Sequence, residues 1–505
     1  MAELIRLEKV SAMNRPQTFL RLTALLLGAF ALVNLRAGAA ETPTAQAGWA
    51  EVDITPPLGI GLGGRGGPET TAKKILDPLF AQVLFLKDAK GAGFVLVSFD
   101  VVGLPPSLSD RLRTRIVHEL GLDYNLVVLN ASHTHSGPYM IREMMAGVGP
   151  APEIEVEYFK TLTDKIISAT RAAGKNLKPV TVETFRGTSQ VAINRRGKNK
   201  AGKVGLLPNP NGPINEEVWV LKVSPTDGSA PALVFSYACH PVIVYGFAGA
   251  AISADFPGVT RNILREKLGA AQVQFVQGTA GNVRPRVTAN LENNTFRSGG
   301  ATNLFLAGKQ LADDILAAMK PLSQPSATVS PSDGERGAKS SGKKLVLNLA
   351  AAADRPFFLR GNPPPREIYE TMAKDAQSEF RRAVAAYWLA RYDSGEGFAK
   401  GDPWPVGLVR LADDEWICCF AGEPCVEWSQ KVKQWLGGRN VFVWGYSQQG
   451  LTYLPTEALL PEGGYEVDEC NYARAQSPAR FAPGIEDAVR RSLRRQLAFV
   501  EARDK

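Results

Sequence analysis

The chain has only four histidines in 505 residues, and three of them follow apolar runs. His133 and His135 lie in His133-Thr134-His135-Ser136-Gly137-Pro138, just after the run Leu126–Leu129. Residues two apart in extended chain face the same side, so both imidazoles can converge on one site before the Gly-Pro pair turns the chain away. His240 follows Ala232–Tyr237 and precedes Pro241. Neutral imidazole is a good zinc ligand, and catalytic zinc keeps an open position beside its protein ligands. There it lowers the pKa of water to about 7. Two histidines need further donors. The C-terminal part offers Glu423 in Gly422-Glu423-Pro424, after Trp416–Phe420, and then Tyr453 and Tyr465. Each alone is explained by packing or capping, and an HxH pair alone by hydrogen-bonded loop histidines. The joint order of these residues points to a metal centre. His118 falls near the end of a helical pattern on its polar side, where the helix C-terminus accounts for it.

The elements that must carry these residues are short buried strands. Phe94–Phe99, Leu126–Leu129, Ala232–Tyr237, Val273–Val276 and Val441–Trp444 are continuous apolar runs that end abruptly in polar or glycine residues. Such runs read as strands buried on both faces. Helical patterns alternate with them at 107–120 (opening on a Ser cap), 155–173, 258–268, 301–319, 366–392, 423–436 and 484–502. This alternation predicts an α/β fold, a layered sheet flanked by helices, with the metal site at the C-terminal ends of strands. Residues 323–345 are rich in Ser, Pro, Gly and Lys and read as a flexible insertion within one domain spanning 41–505.

Residues 1–40 read as a secretory signal peptide, with Arg15 and Arg21 before the apolar run Leu22–Val33 and Ala37-Gly38-Ala39-Ala40 after it. An exported protein, periplasmic or secreted, is the expectation. Export permits a disulfide among the five cysteines, within the group around Cys418–Cys425, but does not require one. The net charge is +8. Its densest cluster, Arg195, Arg196, Lys198, Lys200 and Lys203, suits either an anionic substrate or lipid surface or a solvated loop. No nucleic-acid motif accompanies it.

Taken in order, these motifs resemble the neutral (non-lysosomal) ceramidase family, from about Gly48 to the C-terminus. AGWAEVDITPPLGIGLGG resembles its first strand and Gly-rich turn, and NASHTHSGP its histidine hallmark. Asp77-Pro78-Leu79, Ile193-Asn194-Arg195, Cys239-His240-Pro241, Ser253–Gly258, Gly422-Glu423-Pro424 and the Tyr453…Tyr465 segment follow in family order. The resemblance implies a zinc amidohydrolase whose metal is held by His133, His240, Glu423 and Tyr453. It implies that His135, Arg195 and Tyr465 bind and polarise the substrate.

Two departures stand out. Where the family has a G-D-x-S-P-type turn with an essential serine, this chain has Gly278-Thr279-Ala280-Gly281-Asn282-Val283-Arg284-Pro285-Arg286. Arg284 replaces the serine and Asn282 the aspartate, which assigns Arg284 a catalytic place and Asn282 a substrate-binding one. The family's C-terminal β-sandwich domain is not expected here. Three functions follow. The first is hydrolysis of a ceramide-like N-acyl amide, a lipid substrate compatible with peripheral contact to a membrane surface. The second is hydrolysis of an ester, lactone or amide in a small anionic or sugar-acid substrate, with Arg195, Arg284 and Arg286 gripping the anion. The third is a binding protein that retains the pocket without catalysis.

Overall fold

The computed structural model describes residues 44–320, 342–437 and 439–503. The expected signal peptide, and all but the end of the 323–345 insertion, lie outside the described residues. Residues 45–505 group into one compact unit.

Nine strands form the main sheet. They are β1 (Gln46–Asp53), β2 (Phe80–Lys87), β3 (Gly93–Phe99), β4 (Val127–Ala131), β5 (Lys178–Thr188), β6 (Glu217–Pro225), β7 (Ala232–Tyr237), β8 (Gln272–Gln277) and β9 (Lys343–Leu345). The order is β8-β7-β6-β5-β1-β2-β3-β4, with β9 paired to β5. β3 with β4 and β7 with β8 are parallel, and the other pairs are antiparallel. The last three residues of the expected insertion, Lys343–Leu345, are therefore strand, in register with Val182–Thr184.

Continuous apolar runs became these strands because both faces are covered. Val83, Phe85, Val95, Val97, Val127 and Leu129 point into one core. The intervening Leu84, Leu86, Phe94, Leu96 and Val128 point into another. This is the strand period of two. The first core is closed by helices Pro106–Leu120, Glu153–Lys175, Asp255–Leu268 and Ala301–Met319.

The expected α/β fold, a layered sheet flanked by helices, is found, and on the second face another sheet lies between the main sheet and the outer helices. Strands β10 (Ala350–Asp354), β11 (Val406–Ala412), β12 (Glu415–Phe420) and β13 (Asn440–Trp444) run in that order, with β12 and β13 parallel. Trp219 of β6 packs against Phe442 and Trp444, with ring centroids 5.9 and 5.8 Å away. Glu415 crosses between the sheets to Arg186 and to Trp219 Nε1, both at 2.8 Å. Helices Glu427–Trp435 and Ile485–Ala502 cover the outer face of the second sheet. The layers are helix, sheet, sheet, helix.

Three helical expectations shift for local reasons. The first helix starts at Pro106, not at a serine cap. Proline suits a first turn, and Ser107 instead donates its hydroxyl to Glu143. The pattern over 366–392 splits into Arg366–Ala373 and Glu379–Ser394. Asp375 accepts from Gln377 N, and Ser378 caps the second piece through Arg381 N. These side-chain bonds compete with helix continuation. The last of the three begins at Glu427, which leaves Glu423 in a short parallel bridge to Tyr453.

Candidate metal centre and cleft

Loops leaving the C-terminal ends of β4, β7 and β12 carry His133, His240 and Glu423. Two buried amides stitch these loops together. Asn130 accepts from Gln277 N at 2.9 Å and donates to Gly445 O at 2.8 Å. Gln277 donates to Ser132 O and Cys239 O at 3.0 and 2.9 Å. His135 N donates to Pro241 O at 3.2 Å, joining the two histidine segments directly. His133 itself has φ of 67°, a left-handed backbone that a non-glycine residue adopts only under constraint.

The ring orientations are decided by backbone carbonyls. His133 Nδ1 lies 2.5 Å from Val102 O, and His240 Nδ1 lies 2.7 Å from Ala280 O and 3.1 Å from Val283 O. A carbonyl only accepts, so each Nδ1 carries a proton, and a ring protonated there alone presents its Nε2 lone pair. Both lone pairs face Glu423 Oε2, at 3.2 and 3.3 Å. That oxygen is buried and has no hydrogen-bond donor. His135 Nε2 is 3.1 Å from His133 Nε2, and Tyr453 Oη is 3.3 Å from His240 Nε2. Burial, reinforced by Arg195, pushes the His240 pKa down to about 3 despite Glu423. Burial, with the neighbouring histidines, also holds His135 well below its ordinary range. For Glu423, burial is outweighed by His133 and His240, which hold the carboxyl well below the usual range. The Nε2 atoms of His133 and His240 and the Glu423 carboxylate thus crowd and repel at one point, and the phenol of Tyr453, kept protonated by burial, lies beside them. A cation resolves that repulsion. His133, His135 and His240 also form a metal-capable cluster by themselves, with ligand atoms within 4.8 Å of one another.

The open side of this centre is a cleft of about 820 Å³, lined by His133, His135, Glu423, Tyr446, Tyr453 and Tyr465. Arg195 Nε bonds Glu466 at 2.8 Å, and its guanidinium lies 5.3 Å from the Tyr453 ring and 5.8 Å from the Tyr465 ring. Burial opposes its charge, but Tyr453 and Glu466 hold its pKa well above the ordinary value. Its Nη2 is buried without a partner. Burial raises Tyr465, so its phenol stays protonated.

Arg195 itself does not line the cleft, and two other expected residues are elsewhere. Asn282 spends its amide on Glu427, at 3.0 and 3.1 Å, and on Val426 N at 2.8 Å. It holds the start of a helix and does not line the cleft. Arg284 lies over Phe296, 4.2 Å from the ring centroid, and is also absent from the cleft wall. Burial, then repulsion from Arg195, lowers its pKa to about 10. Arg286 lines a separate depression and donates to Gln190 O, so three guanidinium groups do not meet in one cleft.

The basic cluster divides as well. Arg195 and Arg196 are buried against Glu466, while Lys198, Lys200 and Lys203 are exposed. His118 is exposed near its helix end. All five cysteines are buried free thiols, so the disulfide that export permits is not formed.

Tyr446 escaped the sequence reading. It has φ of 50°, its ring lies 4.5 Å from that of His133, and its buried hydroxyl has no partner. The only sequence signal was its position just past the apolar run Val441–Trp444.

No family model matches the sequence. Among solved structures, neutral ceramidase from Pseudomonas aeruginosa superposes with a TM-score of 0.60 at 16% identity, over 89% of this chain and 73% of that one. A ceramidase complexed with C2 gives 0.63 at 16% identity, over 89% and 74%. At such identity the likeness speaks for architecture, and the fold of this chain is similar to that of ceramidase.

Proposed function

We propose that this protein is an exported zinc-dependent hydrolase that cleaves the amide bond of an N-acyl compound, with residues 41–505 as its catalytic domain and 1–40 as its export signal. The observation that carries this reading is the convergence of His133 Nε2, His240 Nε2, Glu423 Oε2 and Tyr453 Oη on one buried point. His133 Nε2 and His240 Nε2 lie 3.2 and 3.3 Å from Glu423 Oε2, and Tyr453 Oη lies 3.3 Å from His240 Nε2, close enough for these residues to hold one cation. Two imidazoles with a carboxylate and a phenol oxygen suit zinc by donor type. Bound zinc supplies Lewis-acid polarisation and acidifies water.

The protein's own groups supply the rest. His135, kept neutral by burial and facing the cleft, takes a proton from the attacking water at Nε2 and returns it to the leaving nitrogen as the C–N bond breaks. The Tyr465 hydroxyl donates to the carbonyl oxygen as its charge grows, where a buried donor is worth most, and Arg195, packed against the Tyr453 and Tyr465 rings, adds positive charge nearby. The ceramidase likeness supports an acyl amide over other carbonyl compounds.

Metal analysis of the purified protein beside a His133→Ala/His240→Ala double variant tests this. About one zinc per chain, lost in the variant together with amide hydrolysis, is the expected result. Zinc bound without turnover of any amide, ester or lactone sinks the hydrolase reading and favours the binding protein. Zinc absent even after reloading removes the metal mechanism.

A further inference from the structure

The cleft contains a buried charge that the hydrolytic machinery leaves unused. Arg474 is 8% exposed and lines the same cleft as His135 and Tyr465. Its Nε and Nη1 are buried without a hydrogen-bond partner, and the guanidinium has no ion pair among the described residues. Other buried arginines have partners: Arg195 faces Glu466, Arg261 faces Asp100, Arg360 faces Asp402, and Arg113 donates to the carbonyls of Val127 and Tyr124. An unmatched guanidinium out of water is costly, and its charge is permanent.

Its position is also held. Ala146 N donates to Ala473 O and Ala475 N to Met144 O, so the backbone on both sides of Arg474 is tied to the neighbouring 144–146 segment. Of the cleft carboxylates, Glu69, Glu367 and Glu469 are exposed, and Glu423 faces His133 and His240. The cleft also offers an apolar wall, including Ile141, Met145, Ile368, Met372 and Leu451.

We propose that the substrate is an N-acyl amide whose amine half carries a carboxylate, received by Arg474 while the acyl chain lies on the apolar wall. This rests on the hydrolase reading and narrows its substrate class from neutral ceramide-like lipids to acylated amino acids. A planar guanidinium with free donors grips a carboxylate through paired hydrogen bonds.

The test uses zinc-loaded protein and two matched probes, N-dodecanoylglycine and the neutral N-dodecanoylglycinamide, read by equilibrium binding and by turnover. In the native protein the anionic probe is expected to bind at least about tenfold more tightly, as a charge-assisted hydrogen bond implies. Arg474→Gln is expected to abolish that ratio and Arg474→Lys to restore part of it, with thermal unfolding confirming that both variants fold. Equal binding of the two probes, or a ratio untouched in Arg474→Gln, overturns the proposal. Binding decides it even without turnover: a ratio lost in Arg474→Gln with neither probe cleaved keeps Arg474 as the anion site and rejects the hydrolase reading. Cleavage of the neutral probe with no preference does the reverse.

Discussion

The pair His133 and His135 shows how a two-residue spacing becomes two different environments. His133 is pinned by Val102 O and turned into the donor cluster, whereas His135 stands at the cleft. What holds His135 there is a glycine. Gly64 has φ of +75°, and a Cβ at that position would lie 2.4 to 2.8 Å from the His135 ring. Gly64→Ala is therefore expected to displace His135 while sparing the donors behind it. Zinc content should stay near the native value, and kcat should fall on the order of a hundredfold, the scale of an ångström-sized misplacement. Unchanged kcat would remove His135 from the reaction, and zinc loss would make it a ligand. The histidines and Glu423 were legible in the sequence because they follow apolar runs, whereas Tyr453 and Tyr465 entered through the family resemblance. Arg474 and Tyr446 were not, because an arginine without a partner looks like any other arginine until its neighbours are known.

At the scale of elements, the helix Asp255–Leu268 is anchored by an unusual first residue. Asp255 has φ of 58° and is fully enclosed. Its carboxylate accepts from Val244 N at 2.8 Å and Phe256 N at 2.7 Å. Burial outweighs these bonds and raises its pKa from 3.8 to about 6. The folded protein thus holds this proton more tightly than the unfolded chain. The associated stability is present below about pH 4 and is lost as pH rises through about 6, a difference of about 3 kcal/mol for two pKa units. Asparagine tolerates the left-handed backbone and does not ionise. Denaturant unfolding of Asp255→Asn should therefore show a larger penalty at pH 4 than at pH 7. Equal penalties at both pH values would remove Asp255 as the source. The helix was legible from its apolar spacing, but its start three residues earlier was not, since a buried aspartate at positive φ breaks the local rules that locate helix ends.

At the scale of the whole molecule, the donor set joins distant parts of the chain. His133 and His240 come from the main sheet, and Glu423 and Tyr453 from segments beyond the second sheet. A cation there cross-links both halves, and a ligand that binds only the folded state stabilises it by mass action. With metal at 100 times its Kd the gain is about 2.7 kcal/mol. Chelation is expected to lower Tm by several degrees, zinc should restore it, and the His133→Ala/His240→Ala variant should respond to neither. A native Tm indifferent to chelator and to added zinc would show that the site holds no structural cation. Calorimetric scans with and without chelator measure this directly.

The amino-acid sequence by itself determined the strand-and-helix alternation, the donors that meet and the ends of strands on which they sit. Those features follow from local regularities: period-two burial, apolar runs and the chemistry of scarce side chains. Tertiary structure alone decided that a second sheet lies between the main sheet and the outer helices on the far face. It also decided that Asn282 and Arg284 leave the cleft and that Arg474 enters it. Sheet stacking and the pairing of buried charges depend on contacts between residues far apart in the chain, as between Arg186 and Glu415. No window of sequence contains both partners of such a contact.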